Sequence, residues 1–212
     1  MTPGQRRALD RLLPRYGAPL VDHEVDLDAL FGRTAPKTLE IGFGMGDTLL
    51  EMATAAPELD FLGVEVHRPG IGRLLTGLEA HGVSNVRVVE GDAMQVLGQM
   101  LGNGVLNRLL LLFPDPWPKK RHHKRRLLQA PFVELAARRL EPGGLFHAAT
   151  DWEPYAEHML EVLEACPLLE NSVGPGRFSP RPDYRPPTRF ERRGRALGHV
   201  VNDLLFRRRE AA

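Results

Sequence analysis

Between Phe113 and Arg126 the chain reads FPDPWPKKRHHKRR, in which one carboxylate, Asp115, is fixed between two prolines ahead of an indole, Trp117, and eight consecutive Lys, Arg or His residues. A single acid and a flat ring beside a field of positive charge suit a nucleobase still attached to its polyanion. Lys119, Arg121, His122, His123, Lys124, Arg125 and Arg126 are the candidate phosphate contacts, and affinity resting on them should fall steeply with salt. A basic run alone is ordinarily just a solvated surface; the Asp-Pro-Trp immediately ahead of it argues for a site. His122 and His123 have no cysteine or carboxylate at ligand spacing, so no metal is expected.

A second constellation lies upstream in Glu40-Ile41-Gly42-Phe43-Gly44-Met45-Gly46-Asp47. Gly42, Gly44 and Gly46 alternate where a strand turns into a helix, and missing side chains let a ligand lie against the backbone there. A dinucleotide-binding turn places its third glycine three residues after the second; here the spacing is two, and Glu40 and Asp47 flank the turn. Those carboxylates repel pyrophosphate and attract a ligand carrying ammonium and sulfonium groups, such as S-adenosylmethionine. Glu65, at the end of the second strand, is placed to accept two ribose hydroxyls. Asp92, after the third strand, can accept the adenine amino group. Asp115 follows the fourth strand and Asp151 the fifth, so all face the sheet end where ligands of open α/β sheets collect. Asp151 can equally cap the helix that follows it.

Methyl transfer from a sulfonium requires mainly alignment of nucleophile, methyl and leaving sulfur. If guanine N7 attacks, no proton is lost and a cationic ring forms, so Asp115 can offset the growing charge while holding N1–H and the 2-amino group. An exocyclic amine would instead call for a proton acceptor, and the residue types leave that open. Two other classes compete: an RNA-binding protein with a non-catalytic cofactor pocket, and a nicotinamide oxidoreductase, which the glycine spacing disfavours.

The elements that must position these residues follow from buried-strand runs alternating with helical stretches, the pattern of a parallel sheet covered on both faces. The expected strands are Thr38–Ile41, Phe61–Val66, Val86–Glu90, Arg108–Phe113 and Leu145–Thr150. The expected helices are Gln5–Leu13, Asp47–Ala56, Pro69–His81, Ala93–Met100, His123–Leu140 and Glu153–Ala165. The result is a doubly wound α/β fold, a single domain over 1–212 with an N-terminal helix and lead-in over 1–35. Gly174–Pro187, crowded with Gly, Pro and Arg, reads as a long exposed loop within a substrate-facing stretch over 174–194, and long loops in compact domains usually have work to do. LGHVVNDLLF then reads as a strand closing the sheet edge.

Net charge is +1, from 28 Lys and Arg against 27 acids, so only the distribution of charge points to a partner. Lys119 to Arg126 contains no acid, and Arg177 to Arg209 holds ten arginines against three acids. Cys166 is the sole cysteine, which excludes an internal disulfide and a multi-cysteine metal site and fits a reducing compartment. The first residues lack an apolar signal core, and no stretch has the ~18 apolar residues a membrane helix needs. The expectation is a cytoplasmic protein, a monomer or homodimer.

EIGFGMGDTLL, GVEVHRPG, NVRVVEGDA, FPDPWPKKRHHKRR, LEPGGLFHAATDWEPYAEHML and RPPTRFERRGRALGHVVNDLLF occur in the order seen in bacterial tRNA (guanine-N7)-methyltransferases, the TrmB family, which this chain resembles over nearly its whole length. The resemblance implies a class I, mostly parallel seven-stranded methyltransferase fold and transfer of a methyl group from S-adenosylmethionine to a guanine in the variable loop of tRNA. It implies cofactor contacts at Glu40, Glu65, Asp92 and Asp115, the last also the active-site acid. Lys119, Asp151, Thr188, Arg189, Phe190 and Glu191 match substrate-lining positions, and Arg121 to Arg126 match a segment that touches RNA. Members often carry an arginine-containing segment ahead of the counterpart of Thr2-Pro3-Gly4-Gln5, and Pro118 stands where histidine is common.

Overall fold

In the computed structural model the residues described are 1–188, 191, 198 and 200–210. In chain order they form helices α1 (Pro3–Tyr16) and α2 (Leu27–Phe31), strand β1 (Lys37–Ile41), α3 (Asp47–Ala55), β2 (Asp60–Glu65), α4 (Arg68–Ala80), β3 (Val86–Glu90) and the short α5 (Ala93–Gln95), which runs into a π-helical turn at Val96–Met100. Next come β4 (Leu106–Leu112), a 3₁₀ turn at Lys120–Arg125, α6 (Ala130–Arg139), β5 (Leu140–Thr150), α7 (Glu153–Glu164), β6 (Leu169–Asn171) and β7 (Asn202–Arg208).

Among the described residues the strands make one sheet in the order β3-β2-β1-β4-β5-β7-β6. β1 lies parallel between β2 and β4, with Ile41 opposite both Val64 and Leu111. β7 runs antiparallel to β5 and β6. The chain therefore winds outward from β1 in one direction and from β4 in the other, which leaves a crevice beyond the carboxyl ends of these two strands.

Strand alternation sends side chains to the two faces of the sheet. Leu39, Ile41, Leu109 and Leu111 join the core beneath α6 and α7, whereas Leu110, Leu112 and Phe61 join the core beneath α1, α3 and α4. Each such fully buried side chain contributes roughly 1.5–3 kcal/mol of transfer free energy. That two-sided burial holds the strand ends still.

Most sequence-expected elements are present, and the departures have physical causes. His123–Leu140 is not one helix: the basic run forms the 3₁₀ turn, and α6 begins only at Ala130, with Pro131 in its first turn. Leu140, expected to end that helix, instead starts β5, which runs on through Glu141–Gly144, because Leu140 pairs with Leu106 across a register shift in β4. The last strand begins at Asn202 and lies inside the sheet, the short β6 taking the edge; Arg195–Leu197 and His199 lie outside the described residues. Gly174–Asp183 is mostly exposed, but the chain then turns inward, and Arg185 is 1% exposed.

Candidate active site

Gly42, Gly44 and Gly46 all adopt positive φ, so the backbone leaves β1 in a turn that L side chains resist. No atom lies within 4 Å of where a Cβ would stand on Gly42 or Gly44, which keeps the backbone open to a ligand. From the other side Gly70 of α4 packs so closely that a Cβ there would overlap the Gly44 carbonyl oxygen. The glycine in HRPG is thus part of the turn's support, a role its position in a helix, where glycine is disfavoured, could have signalled.

The turn forms one wall of a cavity of about 760 Å³, within the usual range for small-molecule sites. Glu40, Glu65, Asp92 and Asp115 all line it, together with Trp117, Arg125 and Thr188. The four acids come from the ends of β1, β2, β3 and β4, so the parallel sheet gathers residues 75 positions apart in sequence onto one rim.

Each acid is held differently. Glu40 is 2% exposed and its Oε2 accepts no hydrogen bond. Burial, and then the neighbouring charge of Glu65, pushes its carboxyl up to about 8. A cation brought against such a buried carboxyl would favour its charged form. Glu65 accepts from the Gly44 amide at 2.7 Å through Oε2 and from the Val66 and His67 amides at 2.8 and 2.9 Å through Oε1. These bonds fix its plane; Oε1 already accepts two, and Oε2 keeps a second lone pair for a hydroxyl. Asp92 caps α5, its Oδ1 accepting from the Met94 amide at 2.8 Å. Asp115 is exposed at the mouth. Asp47 pairs with Arg73 at 2.8 Å, so its charge is shared rather than offered whole to the cavity.

The turn around Asp115 is strained. Phe113 and Trp117 have φ of 52° and 43°, values uncommon for bulky residues. The strain is held by Arg126, which is 4% exposed, donates from Nε to the Pro116 carbonyl at 2.8 Å and lies 4.6 Å from the centre of the Tyr155 ring. Arg126 therefore anchors the loop, unlike Lys119, Arg121, Lys124 and Arg125, which are exposed. His122 meets the edge of Trp117, and the Nε2 of His123 lies 3.2 Å from Arg126 Nη2. Among the described residues no group of three or more His, Cys, Asp or Glu is arranged to hold a metal ion.

Thr188 forms part of the cavity wall and Glu191 stands behind it, fully buried, its amide donating to Thr188 Oγ1 at 3.0 Å. Arg189 and Phe190 lie outside the described residues. Asp151 sits at the end of β5 away from the cavity wall and does not cap α7, whose first residues follow Trp152. Sequence reading missed Arg185, which bridges Glu191 to Asp203 of β7 from the interior; nothing in an arginine's local sequence announces burial.

This fold, with a buried acid and an open glycine turn at the end of β1, an acid at the end of β2 held by backbone amides and a capping acid after β3, defines a class I S-adenosylmethionine-dependent methyltransferase. A family model described as a putative methyltransferase matches residues 34–204. The chain is 59% identical over 206 residues to a tRNA (guanine-N(7)-)-methyltransferase of Pseudomonas putida, covering 97% of this chain and 86% of that protein, and 59% identical over 208 residues to its namesake in Pseudomonas aeruginosa, covering 98% and 85%. It belongs to the tRNA (guanine-N7)-methyltransferase family. Among solved structures, the 16S rRNA methyltransferase KamB superposes with a TM-score of 0.62 at 14% identity, over 87% of this chain and 93% of that one, a likeness of fold alone. No helix among the described residues is long and apolar enough to cross a membrane.

Proposed function

We propose that the protein methylates N7 of a guanine in the variable loop of tRNA, in the cytoplasm, with S-adenosylmethionine as donor. The convergence of Glu40, Glu65, Asp92 and Asp115 on one cavity carries this reading, beside the relatives' shared name. The cavity fits the donor: Glu40 Oε2 is a buried acceptor lacking a partner, and the space over Gly42 and Gly44 is open.

Glu40 would hold the ammonium group, Glu65 the ribose hydroxyls and Asp92 the adenine amine, with the turn backbone against the chain between them. Once bound, the cofactor supplies an activated methyl group. Asp115 accepts from the guanine N1–H and 2-amino groups, fixes the ring and offsets the positive charge it acquires, an electrostatic contribution that needs no proton transfer. Lys119, Arg121, Lys124 and Arg125 neutralise flanking phosphates, and Thr188 forms part of the cavity wall. Digestion of reacted tRNA to nucleosides, with mass analysis, tests the assignment: 7-methylguanosine is expected, and a different methylated nucleoside, or none, defeats it.

A further inference from the structure

What the Trp117 ring does in the reaction is open, and its backbone, like that of Phe113, has a positive φ, here 43°. Its left-handed backbone costs of order 1–3 kcal/mol and persists only where the surroundings impose it. Here they do: Pro116 and Pro118 fix φ on either side, and the buried Arg126 holds the Pro116 carbonyl. The indole so aimed is half-buried and lines the cavity. His122 meets its edge, and the guanidinium carbon of Arg125 lies 4.9 Å from the ring centre. An exposed guanidinium over an indole is a weakly held cover, worth about 0.5–1 kcal/mol at such sites.

The cofactor's adenine does not account for this ring. Asp92 follows β3, whereas Trp117 follows β4, and the order β3-β2-β1-β4 separates those strand ends by three spacings, about 14 Å at ~4.8 Å each. Both residues line one cavity, but Trp117 stands on the side of Asp115, two residues away, and that favours a flat group from the acceptor.

We propose that Trp117 is the stacking platform for the acceptor guanine, and that Arg125 covers the ring until the base arrives and then moves to an adjacent phosphate. This rests on the tRNA reading above. Asp115 grips the edge of the purine while Trp117 supports its face, which presents N7 to the methyl donor and requires the nucleotide to leave its own stack.

The test compares wild type, Trp117→Ala and Trp117→Phe in steady-state methylation of one tRNA transcript, with S-adenosylhomocysteine affinity and melting temperature measured for each. Base–aromatic stacking is worth about 1–3 kcal/mol, so Trp117→Ala should lose roughly 5- to 150-fold in kcat/KM for tRNA while cofactor affinity stays within about twofold. Trp117→Phe should recover most of the loss; a turn that needed the indole only to fold would not be rescued selectively in the tRNA parameters. In a Trp152→Phe background, Trp117 fluorescence should change on adding the transcript and respond far less to one lacking the target base. Full activity of Trp117→Ala, or an equal loss of cofactor affinity, overturns the proposal. If wild type itself forms no 7-methylguanosine, the functional reading has failed rather than the stacking assignment alone.

Discussion

Arg185 grips Asp203 with two parallel hydrogen bonds, Nε to Oδ1 at 2.8 Å and Nη2 to Oδ2 at 2.9 Å, with both side chains removed from solvent. Its remaining nitrogen, Nη1, donates to Glu191 at 2.6 Å, which ties Glu191, and through its amide Thr188, to β7. Asp203 also accepts from His147 Nε2 at 2.7 Å, and the Tyr184 hydroxyl donates to His147 Nδ1 at 2.9 Å. Burial opposes charge on Asp203, but the bonds from His147 and Arg185 outweigh it and hold its carboxyl below the usual range. Burial likewise lowers His147, against the pull of Asp203, so the imidazole is neutral with its proton on Nε2.

Removing one partner of such a cluster strands buried charge. Arg185→Met should therefore destabilise the protein by about 3–5 kcal/mol in urea unfolding and weaken tRNA methylation more than cofactor binding. A loss below about 1 kcal/mol, the range of an exposed ion pair, would show that the cluster does not hold Thr188 and Glu191 in place.

Glu40 predicts proton-linked cofactor binding. With its carboxyl raised to about 8, it is largely protonated in the free protein at pH 7, and an arriving ammonium favours the carboxylate. Binding of S-adenosylhomocysteine should release up to one proton from it, and affinity should rise with pH toward 8 by as much as about tenfold per unit, then level off. The free protein binds this proton when the unfolded chain has lost it, so stability falls as pH rises from the ordinary carboxylate range to about 8. Calorimetry in two buffers of different ionisation heat, on wild type and Glu40→Gln, isolates the contribution; identical proton release in both would remove Glu40 from the ammonium site.

Much of this site was legible in the sequence, and the boundary is physical. Parallel strands buried on both faces appear as unbroken apolar runs, so β1 to β4 and the acids at their ends could be placed directly. The three residues of β6 are too few to show a period, and its pairing with β7 is decided by residues some 35 positions away. Arg126 looks like its neighbours in FPDPWPKKRHHKRR, and only the ring of Tyr155 and the Pro116 carbonyl distinguish it. Arg185 was read as part of an exposed loop because the carboxylate it grips bidentately, Asp203, comes from β7, 18 residues on, and nothing local marks Glu191 as its other partner.

That difference within the basic run has a measurable consequence. Replacing Lys119, Lys120 and Arg121 together with glutamine should reduce the slope of log affinity for tRNA against log salt by about 2–3, while leaving the melting temperature nearly unchanged. Arg126→Met should do the reverse, lowering stability with little change in slope. Equal slopes for wild type and the triple variant would mean that the exposed cations do not meet phosphate.

Gly70→Ala tests the support behind the glycine turn. The added methyl group overlaps the Gly44 carbonyl, so the turn or α4 must shift, at an overpacking cost of about 1–3 kcal/mol. Cofactor affinity should fall about tenfold or more. Gly104→Ala, which is strained by its own positive φ but lies remote from the cavity, serves as control; equal effects from both substitutions would assign the loss to general destabilisation.

The central claim is a division of labour in which Asp115 acts on the acceptor base and the acids of β1 to β3 hold the donor. Single-turnover methylation of tRNA by Asp115→Ala, at saturating S-adenosylmethionine and with cofactor affinity measured in parallel, separates these roles. The account predicts a rate lower by about 10²–10³-fold, the usual cost of removing one electrostatic stabiliser, with cofactor affinity changed far less. A rate equal to that of wild type, or a loss that disappears once the cofactor is saturating, would contradict it.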